Sequence, residues 1–213
     1  MTSDNNNNFK NLTITFGCFN TNIINETKSL QSMIKAFCKE AQCSDIKYQS
    51  DFQYELKHKI LTEHGHEIET TINFIEINLT KKIKISNEID CYIIFFDLEN
   101  NDSLVEFEKI LKCLNTINLN DKKIYLINFF MNKNNIKNVL TEEKIQAYFE
   151  KFQLFNYSIS EIDLTNSYIE FKKKVLDSVS LDALQEKLFN NDEYLKNKEI
   201  YDGNNSNSKC FIF

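Results

Sequence analysis

Proline and tryptophan are absent from this chain, and glycine occurs only three times in 213 residues. Without proline no turn is preset by a locked φ. The loops must draw on Asn, Asp and Ser, whose short side chains bond to nearby backbone and tolerate left-handed angles. There is no excess of basic residues. Lys and Arg number 25 against 31 acids, for a net charge of -6, which argues against a nucleic-acid partner. Long apolar runs are missing too: the longest, Tyr92 to Phe96, falls far short of the ~20 residues that span a bilayer. No basic-then-apolar signal segment opens the chain, which starts with the polar run Asn5 to Asn8. The six cysteines (Cys18, Cys38, Cys43, Cys91, Cys113 and Cys210) never form a C-x-x-C pair. A reduced, cytosolic chain follows, its internal thiols acting as small core hydrophobes.

What is present suits one domain with a tail, since 42% hydrophobic residues over this length can build a single core. Residues 1–10 are expected to be disordered. Leu12 to Phe19 alternates as a β-strand, and Lys28 to Lys39 carries Leu30, Met33, Ile34 and Phe37 at helical spacing, with Thr27 or Asn25 as cap. Phe52 to Leu61 and Ile68 to Leu79, joined across Gly65, read as a hairpin. Tyr92 to Phe96, bracketed by Asp90 and Asp97, reads as a strand covered on both faces. Asp102 can open a helix through Leu114, with Leu104, Phe107, Ile110, Leu111 and Leu114 in one stripe. A buried strand (Ile124 to Met131), a helix capped by Thr141, a short strand (Phe155 to Ser160) and a helix over 167–188 complete the domain. This order predicts an α/β three-layer fold: a mostly parallel six-stranded sheet with one antiparallel edge strand, its ligand chemistry at the carboxyl ends of the strands.

Cys210-Phe211-Ile212-Phe213 fits the C-a-a-X prenylation rule, the final Phe favouring geranylgeranyl over another prenyl group. The preceding tail offers three lysines (Lys196, Lys198, Lys209) against four acids (Asp192, Glu193, Glu199, Asp202), so a polybasic second signal is lacking. One lipid chain alone gives reversible anchoring. The expectation is a protein that exchanges between the cytosol and the cytoplasmic face of a membrane, possibilities for which include the plasma membrane. Elsewhere, His58, His64 and His66 cluster round the predicted hairpin; His64 and His66, two apart, could face one side as metal ligands, but without a nearby third ligand of strong type a solvated turn is favoured.

The element order and terminal cysteine together resemble the Ras-type small GTPases. The likeness rests on Ile89 to Leu104, on the hairpin around Gly65, and on Asn132-Lys133-Asn134-Asn135, which is similar to the N-K-x-D guanine motif. Ser160-Glu161-Ile162 stands where that family carries S-A-K. The resemblance implies a Ras-like P-loop domain over residues 11–188, a prenylated tail over 189–213, GTP or GDP with Mg²⁺ as cofactor, and protein effectors or regulators as partners. It implies nucleotide contacts from Gly17, Lys28, Ser29, Asn132, Lys133, Asn135 and Ser160, with Ser29 on Mg²⁺.

The sequence departs from the family where its chemistry lies. After Gly17, Lys28-Ser29 arrives eleven residues on rather than the regular spacing of G-x-x-x-x-G-K-[ST], and Thr27 replaces the second glycine. Either a longer loop still delivers Lys28 and Ser29, or there is no phosphate cradle. No glycine lies between Gly65 and Gly203, so a D-x-x-G motif is missing, as is a glutamine between Thr80 and Ile89 to orient water. Asn135 in place of Asp loses a charge-assisted pair, which costs about 1.5–3 kcal/mol, tenfold to a hundredfold in affinity. Weak nucleotide binding with weak or absent hydrolysis is therefore expected, the alternative being a nucleotide-free pseudo-GTPase that serves as a prenylated scaffold.

Overall fold

The computed structural model of the protein describes residues 12–21, 47–50, 53–61, 67–77, 79, 89–117, 119, 122–137, 140–163 and 177–189. Seven strands form one sheet: β1 (Leu12–Asn20), β2 (Lys47–Ser50), β3 (Gln53–Leu61), β4 (Glu67–Glu76), β5 (Cys91–Asp97), β6 (Ile124–Phe130) and β7 (Tyr157–Asp163). Their order is β2-β3-β4-β1-β5-β6-β7. β1 is parallel to β4 and β5, and β5, β6 and β7 run parallel in turn, whereas β3 is antiparallel to both its neighbours. Helices are α1 (Ser103–Thr116), α2 (Glu142–Lys151) and α3 (Ser178–Phe189).

The α/β class, the mostly parallel sheet and the hairpin are as the sequence implies. The six expected strands are joined by β2, only four residues long, so the antiparallel strand β3 lies second from the edge rather than at it. The predicted helix over 28–39, the start of the last helix at 167, the disordered 1–10 and the tail 189–213 beyond Phe189 all lie outside the described residues.

β5 and β6 are buried at every position, as a strand covered on both faces must be. One face carries Tyr92, Ile94 and Phe96 of β5 with Ile124, Leu126 and Phe130 of β6, packed against Phe107, Ile110, Leu111 and Leu114 of α1 and Ile145 and Phe149 of α2. Phe107 anchors this layer through edge-to-face contacts with Phe96 (5.5 Å) and Phe149 (5.9 Å). On alternate positions, Phe16 of β1 stacks on Phe74 of β4 at 5.5 Å. There α3, whose Val179 and Ala183 are buried outside the first cluster, contacts β1. Cys18 and Cys91 are buried and Cys113 is half-buried, none of the three in a disulfide, in keeping with core packing.

Capping follows the Asn- and Thr-based chemistry that a proline-free chain requires. The Thr141 hydroxyl accepts from Lys144 N–H at 3.4 Å, with Glu142 and Glu143 in the favourable first turn of α2. Asp102 precedes α1 but its side chain makes no cap; instead Asn100 Oδ1 accepts from Asp102 N–H at 3.0 Å. The α2 helix ends in a Schellman turn. Gln153 N–H bonds Glu150 C=O (3.0 Å), Leu154 N–H bonds Phe149 C=O (2.9 Å), and Gln153 sits at φ 55°.

Candidate functional site

In an open parallel sheet, ligands gather outside the carboxyl ends of the strands, near the strand at which connections change direction. Here that strand is β1, because the chain passes to β2, β3 and β4 on one side and then to β5, β6 and β7 on the other. The parallel strands end in Glu76, Asn20, Asp97, Phe130 and Asp163. Three carboxylates therefore mark the edge where a phosphate-binding fold would present backbone amides, and a polyphosphate meets like charge there.

The chain leaving β1 is stitched to its neighbours. Thr21, almost fully buried, donates its N–H to Phe95 C=O (3.0 Å), and its hydroxyl accepts from Asp97 N–H (3.0 Å). Ile77 N–H bonds Cys18 C=O (2.8 Å) on the other side. Asp97 itself is 1% exposed, and its Oδ1 accepts from Glu99 N–H at 2.9 Å, an Asx turn that bends the backbone toward α1.

The resemblance assigns Gly17 to the start of a phosphate loop, although it falls within the strand read over Leu12 to Phe19. The structure corrects the loop assignment: β1 continues to Asn20, so Gly17 lies inside it, opposite Tyr92 in the parallel register. Cys18 and Phe19 are both buried, and with both faces covered the strand has no reason to end at the glycine. A Cβ on Gly17 would stand 2.8 Å from Tyr92 Cδ1 and 3.0 Å from Ile77 Cδ1. The missing side chain makes room for the Tyr92 ring. That ring is 1% exposed, and burial pushes its phenol pKa up to about 12, with lesser contributions from Cys113 and Cys91. Burial first and the Glu76 carboxylate second likewise raise the Cys18 thiol well above its ordinary value.

Asn132, Lys133 and Asn135 are brought together in a loop just beyond β6. Lys133–Asn135 form a 3₁₀ turn, with Asn132 Oδ1 accepting from Asn134 N–H (3.0 Å) and Asn135 N–H bonding Asn132 C=O (2.9 Å). Glu99 clamps the approach: its carboxylate accepts from the N–H groups of Met131 and Asn132, each at 3.1 Å. Lys133 Nζ lies 5.7 Å from the Phe130 ring centroid. Glu99, Met131, Asn132, Asn135 and Lys137 line an open groove of about 480 Å³. Ser160 does not join them. It pairs with Ile127 within β7, three residues before the strand end at Asp163, or about 10 Å at 3.3 Å per residue. The position level with the end of β6 is Asp163, opposite Phe130. Lys28, Ser29 and Cys210, like His64 and His66, lie outside the described residues.

Sequence reasoning missed Thr21, Asp97 and Glu99 as the residues that shape this edge. The bracketing of the β5 run by Asp90 and Asp97 was the available signal. Asp90 Oδ2 accepts from Thr15 N–H at 2.8 Å, so each acid ties one end of β5. A second polar position, Asn128, is 6% exposed within buried β6, and its Oδ1 finds no hydrogen-bond partner among the described residues. Those residues also hold no group of three or more His, Cys, Asp or Glu able to bind a metal, and no helix long and apolar enough to cross a membrane.

No protein-family model matches the chain, and no curated protein does so either.

Proposed function

We propose that this chain is a Ras-like small-GTPase-family signalling protein. A prenyl group on Cys210 anchors it reversibly to the cytosolic face of a membrane, its guanine nucleotide binding is weak, and its hydrolysis is weak or absent. The observation that carries the reading is the placement of the hairpin: β4 lies beside β1 in parallel register with β3 antiparallel outside it, and β5, β6 and β7 follow on the other side of β1. That is the element order on which the Ras-type resemblance stands.

The weakness of the nucleotide site follows from how this chain uses the groups that would hold the ligand. The Asn132 side chain caps its own turn, and Glu99 occupies the amides of Met131 and Asn132. Asn135 supplies no carboxylate for a guanine edge. Glycine at position 17 makes room for Tyr92 of β5 and for Ile77, which leaves an anion loop to residues after Thr21. Lys28 and Ser29 would have to reach the β- and γ-phosphates and Mg²⁺ from that longer segment. Bound Mg²⁺ would neutralise the phosphates against Asp97 and Glu76; the chain itself contributes the position of Lys28.

A second reading, the nucleotide-free scaffold with the same prenyl anchor, is favoured by the carboxylates that mark the strand ends. Purified full-length protein with Mg²⁺, assayed for co-purifying guanine nucleotide and titrated with fluorescent GDP, separates the two. Weak, Mg²⁺-dependent binding abolished by Lys28→Ala supports the leading reading, and no binding at all supports the scaffold. Micromolar or tighter GTP affinity with brisk turnover overturns both. Unchanged membrane partition after Cys210→Ser removes the anchor.

A further inference from the structure

At the amino end of the sheet, opposite the edge described above, lies an open groove of about 500 Å³. Its floor is the underside of the α1–α2 core layer, through Leu114, Ile124 and Leu154, with Ile117 and Leu119 half-buried beside them. Phe155 stands on its wall with 74% of its surface exposed, the most exposed large apolar residue among those described. The Schellman turn at Gln153 directs the chain into this wall, since Leu154 turns inward to the core and Phe155 outward. We infer that the groove is the docking site for the chain's own Phe211-Ile212-Phe213 segment.

The position of α3 argues for this occupant. Asp182 of α3 pairs with Lys123 at 2.8 Å, and Lys123 lies between Lys122 and Ile124, both of which line the groove. From Asp182 the helix runs seven residues further to Phe189, about 10 Å at 1.5 Å per residue. Residues 190–210 then connect to Phe211, and a chain of that length has a root-mean-square reach of roughly 25 Å. Through the Asp182–Lys123 pair α3 passes the same end of the sheet as the groove, and a tether of that length is long enough to reach across to it. An intramolecular segment held within that radius acts at an effective concentration on the order of a millimolar, so modest contact suffices to populate the docked state. A second copy of the chain has no such advantage at ordinary concentrations.

The chemistry matches as well. Two aromatic rings and an Ile offer apolar surface to a floor of Leu and Ile and to the open face of Phe155. Asn115, Gln153 and Asn156 on the rim supply the polar partners that an extended backbone needs once it leaves water. The inference goes beyond the lipid-anchored reading, because an unmodified chain carries the same three residues. If Cys210 does receive a prenyl group, docking holds that cysteine against the protein and away from a membrane.

Hydrogen exchange followed by mass spectrometry on the unprenylated full-length chain tests this. The comparison is between wild type, Phe155→Lys, and the triple variant Phe211→Ser, Ile212→Ser, Phe213→Ser. Docking predicts that peptides covering residues 117–122 and 153–157 exchange severalfold faster in the triple variant, independently of protein concentration over a tenfold range. It also predicts that Phe155→Lys lowers protection of the terminal peptide roughly tenfold, the scale of one lost aromatic anchor. Equal exchange of the groove peptides in wild type and triple variant overturns the inference. So does protection that rises with concentration, which would assign the groove to a second copy.

Discussion

Replacing Gly17 by Ala should destabilise the fold, although Ala suits a strand better than Gly. In a strand interior the change gains about 0.5–1 kcal/mol through lower backbone entropy in the unfolded chain. Against this stands the close approach of the new Cβ to Tyr92 Cδ1 (2.8 Å) and Cε1 (2.9 Å), where ordinary contact begins at 3.4 Å. The ring has little room to retreat: Phe19 lies 6.1 Å away, centroid to centroid, and Tyr92 belongs to a strand buried on both faces. Overpacking costs about 1–3 kcal/mol, and against a ring with so little room the upper part of that range, about 2–3 kcal/mol, applies, so the net loss should be about 1–2.5 kcal/mol. For a chain of this size that lowers Tm by roughly 2–10 °C. Urea denaturation of Gly17→Ala, Tyr92→Leu and the double variant measures the coupling directly. Shrinking Tyr92 should restore most of what Gly17→Ala removes, with a coupling of about 1 kcal/mol or more. A neutral or stabilised Gly17→Ala, or purely additive effects, would refute the steric account. Loss of nucleotide binding with unchanged stability would return Gly17 to an anion-binding role.

Other outcomes follow from the same geometry. Gln153→Gly removes the left-handed strain at the C-terminus of α2 and should raise stability by about 0.5–1 kcal/mol, seen as a higher urea midpoint at constant slope. Thr21→Val keeps the shape but deprives the Asp97 amide of its hydroxyl acceptor, which should cost about 1–3 kcal/mol in the same assay. Tyr92 should titrate late in an alkaline absorbance titration, near pH 12 rather than 10. Because its folded pKa is raised, its contribution is complete below pH 10 and is lost as pH climbs from 10 to 12. The loss is roughly 2–3 kcal/mol, and it should be absent in Tyr92→Phe.

Among the described residues the amino-acid pattern alone marked the three helices and every strand but β2, because that information is periodic and local. The unbroken apolar run from Cys91 to Phe96 could only be a strand with cover on both faces, and Thr141 followed by two glutamates could only start a helix. The α/β class and the parallel sheet follow from that order, since successive strand–helix units close on themselves in few ways. What the edge of the sheet does was not local. The resemblance gave Gly17 a nucleotide contact, yet its neighbour across the sheet, 75 residues away in sequence, makes it a packing residue. Ser160 read as a site residue, but the register of β7 against β6 leaves it about 10 Å short of the edge. Glu99 and Thr21 carry no local pattern that marks them, and only long-range hydrogen bonds tie them to Asn132 and Asp97. Register and hydrogen bonding between distant strands are tertiary properties, set when each strand slides to bury its apolar face, and no periodicity along one segment records where its partner stops.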